Sequence, residues 1–145
     1  MKTVTTTVIV ALIALFSAAV ASAGPVYTKG GKAIDGYDTV AYFTDYKAVK
    51  GSSKHTHRWN GATWHFSSAK NLALFKAEPE KYAPQYGGYC AWAIAEKDTL
   101  FEIDPDRFDF YGGKLYLNYN KSTQKKWKAD RPGMIKRGDE NYKKH

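Results

Sequence analysis

The chain has 145 residues, 22 of them basic and 14 acidic, for a formal charge of +8; 43% of it is hydrophobic and 15% aromatic. That is enough for one ordinary core and too little for several domains. A single cysteine excludes an internal disulfide and, within one chain, a structural zinc site of four cysteines or of two cysteines and two histidines.

Lys2 precedes an apolar run from Val8 to Val20, followed by Ala21-Ser22-Ala23-Gly24. A basic start, a short apolar stretch and small residues before the cut are the marks of a secretory signal peptide, here residues 1–23. The run is shorter than the ~20 residues that span a bilayer, and no second one follows. The expected product is periplasmic or secreted, monomeric, and without a transmembrane anchor after cleavage. Cleavage removes one lysine and no acid, so the formal charge falls from +8 to +7. Such a field attracts anionic surfaces weakly, while export argues against a nucleic-acid partner.

Residues 24–35 read as an irregular lead-in, and Thr39-Val40-Ala41-Tyr42-Phe43 as a first strand. Asn60-Gly61 separates two strand-like runs, Lys54–Trp59 and Ala62–Ser67, and supplies the two positive φ angles of a type I′ hairpin. The resulting register sets Trp59 against Ala62, His57 against Trp64 and His55 against Phe66. That puts the aromatics on the core side and His65 on the other. Ser67 or Ser68 caps a helix through Ala69, Leu72 and Phe75 that stops before Pro79. Tyr89–Ile94 reads as a buried strand after Gly87-Gly88. Gly112-Gly113 signals a second hairpin with Phe108 opposite Leu117, Phe110 opposite Leu115 and Arg107 opposite Asn118, one face of it being core. Helical signals cover Ser122–Asp130 and Met134–Tyr142, separated by Pro132-Gly133, with Trp127 docking the first onto the sheet.

Few residues carry chemistry. His55 and His57 lie two apart on a strand, so both imidazoles reach one face, a spacing that suits copper or zinc. Cys90, His65 or an acid such as Asp38 could complete the set. Soft sulfur with imidazole excludes magnesium and calcium as preferred ions. Pro105 interrupts the acids Glu102, Asp104, Asp106 and Asp109, and the glycine of a calcium loop is missing. No glycine-rich phosphate loop, serine elbow or haem-attachment cysteine pair occurs. No catalytic residue is therefore assigned. Tyr86, Tyr89 and Trp64 are candidates to line a cleft for a small organic ligand, since tyrosine joins a flat apolar face to a hydroxyl.

The run Gly36-Tyr37-Asp38-Thr39-Val40-Ala41-Tyr42-Phe43, then Trp59-Asn60-Gly61, Phe66-Ser67-Ser68, Pro79-Glu80-Lys81-Tyr82, Tyr86-Gly87-Gly88-Tyr89-Cys90-Ala91 and Gly113–Tyr119, resembles the YHS-domain family, in particular its stand-alone exported members. The resemblance implies a domain over residues 36–132, with a C-terminal helix and basic tail over 133–145. It also implies metal handling, because metal-binding relatives carry thiols. Those thiol positions fall here on Ala41, Ser67 and Asn71, none of them a soft ligand. Cys90 stands elsewhere in the pattern. The expectation is an α+β protein, a small antiparallel sheet with one central helix and C-terminal helices. Its expected role is an exported binding module, not an enzyme, that holds copper or zinc through Cys90, His57, His55 and His65 or assists a metal-handling partner. The alternatives are a small-organic-ligand domain with an aromatic cleft and a structural interaction domain.

Overall fold

The computed structural model describes residues 24–145, so the expected signal peptide lies outside the described residues. The class is α+β. Two short strands, β1 (Thr28–Lys29) and β2 (Lys32–Ala33), open the described chain. They join the hairpin of β3 (Ser52–Trp59) and β4 (Ala62–Phe66) in a sheet of order β1-β2-β4-β3. β2 runs parallel to β4 through the pair Lys32 and Thr63, so this sheet is mixed rather than wholly antiparallel. Asn60 and Gly61 have φ of 50° and 73°, as a type I′ turn requires. Trp59 meets Ala62 and His57 meets Trp64, as expected, but a register shift between Ser52 and Thr56 sets Ser52, not His55, opposite Phe66.

Two expected strands are helices. Thr39–Thr44 forms α1, because the Asp38 carboxylate accepts from the backbone N–H of Val40 and Ala41 and so caps a first turn. Thr39, Val40, Ala41 and Tyr42 are all buried, which a strand with one wet face would not give. β-branched residues suggested a strand, and tertiary burial outweighed them. Ala91–Lys97 forms α4 instead of a strand over Tyr89–Ile94. A short apolar run is ambiguous in period; three alanines favour the helix, and Asp98 ends it at φ 47°.

The remaining helices follow their signals. α2 (Ala69–Ala77) starts on Ser68, whose hydroxyl accepts from Asn71 N–H, and α3 (Pro79–Tyr82) is a single turn with proline at its start. β5 (Asp104–Tyr111) and β6 (Lys114–Asn118) make the second hairpin. Phe108 faces Leu117 and Phe110 faces Leu115, but a register shift replaces the expected Arg107 partner of Asn118 with Asp104. The expectation of a single core face fails for β6, where Leu115, Tyr116, Leu117 and Asn118 are all buried. The reason is a second layer of helices. α5 (Lys121–Ala129) lays Trp127 on Tyr116 with ring centroids 4.7 Å apart. α6 (Arg131–Tyr142) begins on Asp130, which accepts from Gly133 N–H, so Pro132-Gly133 opens the last helix instead of separating two.

Two apolar clusters result. One gathers Val40, Tyr42, Trp64, Phe66, Phe75, Cys90, Leu115 and Leu117 between the sheets and α2. The other, of Tyr86, Ala91, Ile94, Tyr116, Trp127 and Met134, lies under α4, α5 and α6. No helix among the described residues is long and apolar enough to cross a membrane.

Candidate functional site

The Asp38 carboxylate, fully buried at the head of α1, is the hub of a polar network. One oxygen accepts from Val40 N at 2.9 Å and Ala41 N at 3.2 Å. The other accepts from Ser67 N at 2.8 Å, Ser67 Oγ at 2.7 Å and Asn71 Nδ2 at 2.8 Å. Five donors satisfy a buried charge that would otherwise be costly. Ala41, Ser67 and Asn71 are the three positions where the resemblance puts thiols in metal-binding relatives. Here they converge on a carboxylate and contribute no sulfur, so the residues present do not fit a soft metal ion.

The histidines are spread over the hairpin. His57 and His55 lie half-buried on β3, the His57 ring meeting Phe75 edge to face at 6.3 Å. His65 sits on β4, where burial and then the charge of Lys32 push its pKa below the ordinary imidazole value. Among the described residues no three His, Cys, Asp or Glu side chains form a group able to hold a metal ion. Cys90, His55, His57 and His65 thus share no such centre.

Cys90 stands at the head of α4, fully buried. Its thiol donates to Asn118 Oδ1 at 3.7 Å, an oxygen that also accepts from Trp92 N at 3.2 Å, and its sulfur accepts from Tyr119 N at 3.3 Å. Burial pushes the thiol pKa up, against hydrogen bonds from Ala93, Tyr119, Thr123 and Trp92 that pull it down. A thiol so held stays protonated at neutral pH and is a poor nucleophile. Asn118 Nδ2 has no partner, as is also true of Trp127 Nε1.

Above Cys90 lies a pocket of about 590 Å³ whose lining includes Trp92, Phe101, Tyr119, Thr123, Lys97 and Lys126. The lysine ammonium groups lie 6.0 Å and 4.9 Å from the centre of the Trp92 ring, and neither forms an ion pair among the described residues. No acid lines the pocket. Two ammonium groups near one indole, beside apolar walls, are an arrangement that can receive an anion with an apolar body.

A second cleft, of about 400 Å³, contains Trp64 and Tyr86 with Trp59, Glu80, Asp139 and Tyr142. Tyr89 is not among its lining residues; it packs against Tyr27 at 5.6 Å. Its aromatic polar groups are paired internally: Tyr86 donates to Asp139 at 2.9 Å, Tyr142 to Pro25 O at 2.6 Å and Trp64 Nε1 to Trp59 O at 3.0 Å. Burial, then Asp139, keeps the Tyr86 phenol far above its ordinary pKa. Its rim mixes Glu80 and Asp139 with Lys114 and Lys143, so the charges offset one another, whereas the larger Cys90 pocket carries lysines and no acid and is the better candidate.

Comparison with known families matches residues 40–86 to the YHS domain. Over that stretch the chain is similar to a YHS domain. The matched stretch runs from α1 through Tyr86 and includes Ala41, Ser67 and Asn71, whereas Cys90 and its pocket lie beyond it. Searches of curated proteins and of solved structures found no match. Lys97, Trp92, Phe101, Tyr119 and Lys126 went unrecognised in sequence because a supposed strand at Tyr89–Ile94 hid the helix that aligns them. The Asp38 hub had a readable signal, an N-cap aspartate followed by Thr39 and Val40.

Proposed function

We propose that this protein is a non-catalytic binding module that holds a small organic anion with an apolar body in the pocket over Cys90. The observation that carries this reading is the pair of lysines, Lys97 and Lys126, beside the Trp92 ring in a pocket with no carboxylate in its lining. The pocket volume falls within the range of small-molecule sites. A buried, protonated thiol beneath it supports binding over nucleophilic chemistry. The test is calorimetric titration with naphthalene-2-sulfonate, decanoate and the uncharged 2-naphthalenemethanol. One-to-one binding of the anions, weakened roughly tenfold or more in Lys97→Gln/Lys126→Gln with the neutral compound unaffected, supports the reading. Equal binding of charged and neutral compounds by both proteins refutes it.

A second reading, transition-metal handling, rests on the family match, since YHS domains are associated with copper handling. Copper(I) and zinc titrations of wild type and Cys90→Ser separate the two. Stoichiometric metal binding lost in the variant would favour metal.

A further inference from the structure

We propose that the mouth of the Cys90 pocket is a docking face for an anionic lipid bilayer, from which the pocket takes its ligand. The inference rests on the pocket reading above and adds the surface on which it works. Phe101 and Tyr119 are 42% and 38% exposed, two of the four large hydrophobic side chains exposed among the described residues. They stand edge to face at 4.9 Å and both line the pocket. Lys97 and Lys126 line the same opening and are exposed. Aromatic rings that seat at the headgroup level, beside lysines that meet anionic headgroups, are the composition of an interfacial anchor.

The surrounding charge agrees with this occupant. The acids nearest on α4 and its cap are already engaged, Glu96 by Arg137 and Asp98 by Lys144 and His145. Their negative charge is offset on the α6 side, which leaves the rim cationic; Glu102 beside Phe101 is an exposed acid with no ion pair among the described residues. The apolar pocket opens between these anchors, so a lipid-like anion would pass from the bilayer with its charge on the lysines and its apolar part moving inward.

The test is co-sedimentation with vesicles of phosphatidylcholine containing 30% phosphatidylglycerol, against vesicles of phosphatidylcholine alone. Three variants are compared with wild type: Lys97→Gln/Lys126→Gln, Phe101→Ala/Tyr119→Ala, and Lys54→Gln/Lys76→Gln. The last removes the same charge from exposed sites on β3 and α2. Binding to the anionic vesicles alone is expected, about 20- to 30-fold weaker in the rim-lysine variant and little changed in the β3/α2 variant. The aromatic variant should lose most of its binding at elevated salt, where electrostatic attraction is screened. Equal losses in the two lysine variants would mean that net charge alone attracts the protein and would overturn the docking face. So would binding to soluble polyphosphate without binding to vesicles. Sulfonate binding that persists without vesicle association overturns this inference and leaves the pocket reading standing; vesicle association without sulfonate binding overturns the pocket reading, and with it the transfer of ligand, and leaves only the docking face.

Discussion

Replacing Asp38 by alanine removes the acceptor of five hydrogen bonds and leaves the volume to be filled by nothing. Loss of the cap on α1 costs about 1 kcal/mol. The buried Asn71 amide then loses its acceptor, at about 1–3 kcal/mol, and the N–H of the exposed Ser67 loses its own at about 1 kcal/mol. The expected total is about 4 kcal/mol, a large share of the ~5–15 kcal/mol that holds a domain together. At about 4 °C per kcal/mol for a domain of this size, Tm should fall by roughly 15 °C. Asp38→Asn keeps one acceptor oxygen but turns an N–H toward donors, so it should cost about 2–3 kcal/mol. Ser67→Ala, which removes one hydroxyl, should cost about 1 kcal/mol. Urea denaturation followed by tryptophan fluorescence measures all three. A loss below about 1 kcal/mol for Asp38→Ala would refute the view that this carboxylate organises the matched segment.

Three further outcomes follow from particular contacts. Cys90 should resist iodoacetamide in the native protein at pH 7 and react fully in urea, because burial raises its pKa and closes access; rapid native labelling would contradict the buried geometry. Gly51→Ala should destabilise by about 1–3 kcal/mol, since its Cβ would lie 2.5 Å from the His65 carbonyl carbon, a backbone atom unable to turn aside; an unchanged urea midpoint would count against that close approach. Burial pushes the Tyr116 and Tyr142 phenols up to about 12. The unfolded chain releases those protons near pH 10 and the folded one later, so the two phenols add no pH dependence well below 10 and stability should fall from 10 toward 12. Thermal denaturation across that range measures it, and a stability independent of pH up to 12 would be inconsistent with buried phenols.

What was legible in the sequence was local and strongly signalled. Asn60-Gly61 announced its hairpin because only a few residues accept two consecutive positive φ angles, and Ser68 with Pro79 bracketed α2. Bulges were invisible, so the registers held near each turn and slipped at Ser52 and Asp104. Thr39–Thr44 and Ala91–Lys97 misled for one reason: both are buried nearly all round, which erases the helical period. The pocket was lost with the second of these, since Trp92, Lys97 and Lys126 meet only when α4 lies beside α5. Nothing in sequence spacing tells that Ala41, Ser67 and Asn71 gather around Asp38. The resemblance named those positions, and the structure gave them a purpose other than metal ligation.

The most direct measurement is an amide NMR footprint of the protein titrated with decanoate. The account predicts saturable shifts at Trp92, Ala93, Phe101, Tyr119 and Thr123, with little change around Trp59, Trp64 and Tyr86. Shifts centred on that second group, or none up to millimolar decanoate, would contradict it.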